Sequence, residues 1–193
     1  MLGLKLASDP RWVNIAEKNI GDILIDHAYC EQKAASSCIS LIVQYPERHK
    51  LVEVLSPVVS EEWGHFRMVL KELKKRNIPL GRQRKDEYVV QLNALVRKGG
   101  HPELQLMDKL LVNALIEARS CERFRLLSLE IADESLQKFY HELMISEANH
   151  YVNFVKLAKE YMPEYEVEAR LQDLLEAESQ IMKDMEIRGD RMH

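Results

Sequence analysis

Two stretches carry one chemical pattern. SEEWGHFRM, Ser60 to Met68, holds Glu62 and His65, and SEANHYVNF, Ser146 to Phe154, holds Glu147 and His150. Residues three apart lie on the same side of a helix. In each stretch that side also carries the apolar stripe: Val58, Glu62, His65, Val69, Leu73 in the first, and Leu143, Glu147, His150, Phe154, Leu157 in the second. A carboxylate and an imidazole are thereby aimed where a soluble helix buries its apolar face. Unpaired charge in such surroundings is costly, so each pair needs a compensating group. A divalent cation meets that need, because both side chains are metal ligands.

Two further glutamates complete the pattern. Glu31 interrupts the stripe Ala28, Ala35, Cys38, and Glu117 interrupts Leu110, Ala114, Cys121, Phe124. Glu31 precedes Glu62 by 31 positions and Glu117 precedes Glu147 by 30, so the chain reads Glu, then Glu-x-x-His, twice. A lone Glu-x-x-His is usually a solvated helix face. Two of them in mid-stripe, each preceded by a mid-stripe Glu at matched distance, are not readily produced by that reading. Four carboxylates balance two divalent ions. Hard oxygen donors with two imidazoles suit iron or manganese, and the absence of thiolate ligands argues against structural zinc. Glu122 is the alternative to Glu117. It shares another partly apolar stripe with Leu115, Ala118 and Leu129, and it is expected either to support the site from behind or to be a surface residue paired with Arg119 or Arg125.

The remaining polar and small residues of these stripes have plainer readings. His27 neighbours Glu31 and is either a third imidazole or, more ordinarily, a hydrogen-bonded histidine at the edge of the core. Asp26 and Asn113 are candidates to hold a ligating imidazole by its second nitrogen. Cys38 and Cys121 read as small packing residues beside a pocket. Tyr29, Tyr140 and Tyr151 read as packing residues with a polar tip rather than as electron relays.

These side chains need long helices to hold them. Gly and Pro are scarce, 7 and 6 in 193 residues, and no strand pattern competes. Asp9-Pro10 opens a short helix interrupted near Gly21. A long helix spans about 22–44, and a second spans about 47–77, with Pro57 expected to kink or divide it. A loop follows over 78–86 and a short helix over 87–98. Long helices over about 102–131 and 134–161 come next, then a charged one over about 166–186. The tail GDRMH is expected to fray. The long helices pair into two antiparallel hairpins joined by one long crossover, Ile78 to His101. That connectivity predicts an all-α, ferritin-like four-helix bundle with additional N- and C-terminal helices, one domain over 1–193.

Bulk properties agree with that class. Apolar residues make up 46% and charged residues 30%, the balance of an ordinary globular protein. No apolar run is long enough for a transmembrane helix, the N-terminus does not look like a signal peptide, and the 3 cysteines lack zinc spacing. A cytoplasmic protein with no membrane partner is expected. The net charge of -4 argues mildly against a general nucleic-acid coat and gives no reason to expect DNA as a partner, yet KKRNIPLGRQRK, Lys74 to Lys85, is locally basic.

The segments DHAYCEQKAASS, SEEWGHFRMVLKEL, NALIEARSCERFRLLS and SEANHYVNFVKLA together resemble the tRNA-(2-methylthio-N6-isopentenyladenosine) hydroxylase family over about Asp9 to Met162. DHAYCEQKAA around Glu31 and EARSCERF around Glu117 are the most specific pieces. The resemblance implies a non-haem di-iron monooxygenase whose metal ligands and catalytic residues are Glu31, Glu62, His65, Glu117, Glu147 and His150. It implies two iron ions as cofactor, O2 as co-substrate and the anticodon loop of tRNA as partner. It also implies an external reductase, since no flavin or nicotinamide fingerprint is present. A monomer is expected. The substrate would demand a positive rim, with Lys74, Lys75, Arg76, Arg82, Arg84, Lys85, Arg119 and Arg123 as candidates, and a base drawn out of its stack. Iron handling, peroxide reduction, or oxygenation of another substrate would use the same ligand set.

Overall fold

The computed structural model describes residues 1–193. It has seven helices and no strand: α1 (Arg11–Lys18), α2 (Ile20–Gln44), α3 (His49–Lys75), α4 (Glu87–Ala94), α5 (Pro102–Glu130), α6 (Glu134–Tyr161) and α7 (Glu164–Asp184). No helix is long and apolar enough to cross a membrane. The chain divides into two compact units. One comprises Asn14–Lys85 with Arg188–Met192, the other Met1–Val13, Asp86–Ile187 and His193.

The first unit is built on the α2–α3 hairpin. Ala28, Ala35, Cys38 and Leu41 of α2, and Leu51, Leu55, Val58, Val69 and Leu73 of α3, are buried at helical spacing. Tyr45-Pro46 ends α2, since a proline disfavours helical geometry in the residue before it. Helix α3 then runs unbroken through Pro57, against the expected division. Pro57 lies on the exposed side, where the Glu53 carbonyl that loses its intrahelical partner can turn to water. The helix closes on Asn77, whose φ of 56° is left-handed, with the Ile78 N–H donating to the Leu73 carbonyl at 3.0 Å.

Beyond α3 the chain is strapped back onto α2. A Cβ added at Gly21 would lie 3.0 Å from Ile78 Cδ1, so the small residue permits this approach. The Tyr29 hydroxyl donates to the Gly81 carbonyl, and Arg84 bonds the carboxylate and carbonyl of Asp22. The tail segment is held as well. The Met192 N–H donates to Asp26 Oδ2 at 2.8 Å, and the Met192 side chain is fully buried. The expected fraying of GDRMH is therefore corrected: its partner lies 166 positions away, out of sight of any local pattern.

The second unit is built on α5 and α6. Pro102 sits at the start of α5, and Asp133 caps α6 by accepting from the Ser135 and Leu136 N–H groups. Helices α4 and α7 pack on α5, as does the N-terminal segment. Leu106, Leu110, Ala114, Leu115, Phe124 and Leu127 form the buried face of α5. Two ion networks tie the unit together. Asp108 receives Arg97 and Arg170, and Arg119 receives Glu122 and Glu178.

Candidate metal centre

Each unit gathers three of the six metal-ligand candidates. In the first, α2 contributes Glu31 while α3 contributes Glu62 and His65. One ligand atom from each lies within 4.8 Å of the other two. His65 Nδ1 is 3.3 Å from Glu31 Oε2 and 3.7 Å from Glu62 Oε2. In the second, α5 contributes Glu117 while α6 contributes Glu147 and His150, again with one ligand atom each within 4.8 Å. His150 Nδ1 is 3.3 Å from Glu147 Oε2. All six side chains are buried, Glu62 at 1% exposure and His150 at 0%.

The donor set in each unit is two carboxylates and one imidazole. Two carboxylates held this close in buried surroundings repel each other when ionised, and a divalent cation among them reverses the sign of that cost. The donor chemistry therefore fits a hard or borderline divalent metal such as iron or manganese.

His27 has a defined place beside Glu31. Its Nε2–H donates to Glu31 Oε1 at 2.6 Å, one helical turn away on α2, with the imidazole fully buried. The sequence offered the signal, an i,i+4 pair on one stripe, but not the contact. Asp26 is occupied by Met192, and the Asn113 side-chain amide donates to the Lys109 carbonyl within its own helix.

Glu122 is turned to a different task from Glu117. Its Oε1 accepts the Ser8 N–H at 2.7 Å, and its Oε2 accepts the Ser8 hydroxyl and Arg119 Nη1 at 2.8 Å. Burial pushes this carboxyl up, but Arg119 and Ser8 outweigh burial and hold it below the ordinary glutamate value. The pairing with Arg119 anticipated for Glu122 is present, but both residues are buried rather than at the surface.

Cys121 packs with its Sγ 3.3 Å from the Met144 carbonyl. Burial, and after it the charge of Glu147, pushes the thiol up to about 12, so at neutral pH it is an uncharged packing group. Tyr140 is buried against Phe124 and Phe139, at ring-centre distances of 5.4 and 5.1 Å.

The basic rim requires correction. Arg119 is 0% exposed and spends its guanidinium on Glu122, Glu178 and the Leu6 carbonyl. Arg123 is 5% exposed and lies 3.9 Å over the Trp12 ring, with burial lowering its pKa to about 9. Neither reaches a phosphate. Lys75 and Arg76 are paired with Glu72, and Arg84 is paired with Asp22. Lys74, Arg82 and Lys85 remain exposed.

Comparison with known proteins bears on these sites. The sequence pattern of the family described as tRNA-(MS[2]IO[6]A)-hydroxylase (MiaE) matches residues 3–193. This chain belongs to that family. A relative from Pseudomonas putida, named tRNA 2-(methylsulfanyl)-N(6)-isopentenyladenosine(37) hydroxylase, is 42% identical over 166 residues, 86% of this chain and 79% of its own. A Salmonella typhimurium protein of the same name is 37% identical over 137 residues, 71% of this chain and 49% of its own. Among solved structures, a Synechococcus protein with aldehyde deformylating oxygenase activity superposes with a TM-score of 0.93 at 35% identity, covering 98% of this chain and 94% of that one. This chain and that structural relative share an all-α fold, the ferritin-like one expected from the helix pattern.

Proposed function

We propose that the protein hydroxylates the isopentenyl group of 2-methylthio-N6-isopentenyladenosine beside the anticodon of tRNA, at two iron ions held by Glu31, Glu62, His65, Glu117, Glu147 and His150. When bound, the iron pair supplies the oxidation: with dioxygen, two protons and two electrons from an external reductase, one oxygen atom enters a terminal C–H bond and the other leaves as water. Glu31, Glu62 and His65 would hold metal in one unit, and Glu117, Glu147 and His150 in the other. His27 fixes the rotamer of Glu31 by hydrogen-bonding its outer oxygen. Small or apolar neighbours on the same stripes, among them Ala35, Cys38, Ala114 and Cys121, keep water from the carboxylates while leaving room beside them. The reaction takes place in the cytoplasm, where the tRNA is.

The family match over residues 3–193 carries this reading, together with six buried ligand-type side chains in two convergent sets. The test is deletion of the gene in a host that makes the isopentenylated precursor. Loss of the hydroxylated nucleoside from bulk tRNA, read by mass spectrometry, is expected, and an unchanged nucleoside profile rejects the reading. The likeness to the Synechococcus oxygenase supports one rival, an oxygenase acting on an aldehyde. Iron-loaded protein that turns over an aldehyde with a reductase, while leaving the tRNA untouched, would establish that rival instead.

A further inference from the structure

Trp63 follows Glu62 directly but points the other way. It is 48% exposed, and its ring leans on Phe66 with centres 4.9 Å apart and planes at 36°. Phe66 is nearly buried, so it braces one side of the indole and leaves the other open to solvent. Helical spacing sets Arg67, Lys71 and Lys74 on the same face of α3 as Trp63. At ~1.5 Å per residue the stripe is about 16 Å long.

All three cations are exposed, and none has an ion-pair or hydrogen-bond partner. Their neighbours Lys75 and Arg76, by contrast, are held by Glu72. Of the nearby carboxylates on α3, Glu62 and Glu72 are buried, and Glu61 falls on another side of the helix by spacing. The result is a concentrated positive face on a chain whose net charge is -4. Unpaired exposed cations arrayed beside an open aromatic ring are the combination that single-stranded nucleic acid requires: charge for the phosphates and a flat surface for a base.

We propose that the face of α3 formed by Trp63, Arg67, Lys71 and Lys74 is where tRNA docks, the cations taking backbone phosphates and Trp63 stacking on an unpaired base of the anticodon loop. This rests on the tRNA reading above and assigns the contact residues that reading lacks. Trp63 directly follows a ligand candidate, so an RNA strand following this face is led along the helix that carries Glu62 and His65.

The experiment uses the full chain loaded with iron and an isopentenylated anticodon stem-loop RNA. Affinity is measured across a salt series for the parent and for the triple variant Arg67→Ala/Lys71→Ala/Lys74→Ala. The variant should bind about 10- to 100-fold more weakly, and the slope of log K against log salt should shrink by about 2. Trp63→Ala should weaken binding by about 5- to 100-fold with the salt slope kept, and Trp63→Phe should restore most of the loss. RNA should quench the exposed Trp63 fluorescence of the parent, a signal absent from Trp63→Phe, whose remaining Trp12 is 1% exposed. Lys138→Ala, an exposed cation on α6, should bind as the parent does. All five substituted side chains are at the surface, so helix content and melting temperature serve as the folding control.

A parent that binds and hydroxylates the RNA, with a triple variant equal to it in affinity and salt slope, overturns the docking face alone. If that variant also loses turnover through weaker coupling to the reductase, the face belongs to an electron-donor protein and the proposal is equally overturned. A parent that neither binds nor hydroxylates the RNA removes the functional reading, and the docking face with it.

Discussion

His27 Nε2 stands 2.6 Å from Glu31 Oε1, one turn earlier on α2, and both side chains are buried. Glu31 Oε2, its other oxygen, lies 3.3 Å from His65 Nδ1. The carboxylate is thus held from behind on one oxygen while the other faces the ligand candidates of α3. A carboxylate so oriented loses less freedom on binding a cation than one that must be ordered in the process.

Replacing His27 by Ala should therefore weaken metal binding without removing a ligand. A loss of roughly 10- to 100-fold in iron affinity is expected, by analogy with residues that hold other metal ligands in place. Metal titration of the apoprotein measures it. An affinity equal to the parent's would make His27 a packing residue only.

The ligand proposal itself is tested by Glu62→Gln and Glu147→Gln, which keep shape but remove charge. Each should bring the iron content clearly below the about two ions per chain that two Glu and two Glu-x-x-His motifs provide for. Metal analysis with equal iron in parent and variants would remove these carboxylates from the ligand set.

Arg119 is a structural residue. Its guanidinium lies 2.7 Å from Glu178 and 2.8 Å from Glu122, all three buried. Arg119→Met leaves two carboxylates without their cation, and a loss of about 3–5 kcal/mol in stability is expected from breaking such a pair. Adding Glu178→Met should recover part of it. Chemical denaturation of the single and double variants decides: equal instability in both would show that Glu178 is compensated in some other way.

Asp108 makes stability depend on pH in a predictable direction. Burial raises its carboxyl, but Arg97 and Arg170 bond it and bring it below the ordinary aspartate value of 3.8. A depressed folded pKa contributes stability that is complete above the unfolded value and lost as pH falls through the folded one. The destabilisation caused by Asp108→Asn should therefore be full at about pH 7 and should shrink toward about pH 3, as the parent's own carboxylate protonates. Denaturation midpoints at the two pH values check it, and a pH-independent difference would contradict it.

Gly64 occupies the interior of α3, and a Cβ built there meets nothing within 4 Å. Gly64→Ala should raise stability by about 0.5–1 kcal/mol, through a less flexible unfolded chain. A denaturation midpoint below the parent's would mean that the backbone at Gly64 needs the freedom of glycine.

The sequence by itself determined the helices and which faces they bury. Both are local matters: a stripe repeating every three or four residues is written in the stretch that forms it. Glu31, Glu62, His65, Glu117, Glu147 and His150 stood out for that reason, as ligand types inside apolar stripes. Tertiary structure decided what each remaining charge is for, because its partner is distant in the chain. Arg119 resembled a rim cation until Glu178, 59 positions on, and Ser8, 111 positions back, were brought to it. Glu122 looked like an alternative to Glu117, and only the fold shows that it accepts the Ser8 N–H from 114 positions away; the tail looked loose until Asp26 accepted its Met192 N–H. Arg67, Lys71 and Trp63 went unremarked for the converse reason. A residue facing solvent without a partner has no pattern in sequence, and only the packed chain shows which cations are left over once the others are paired.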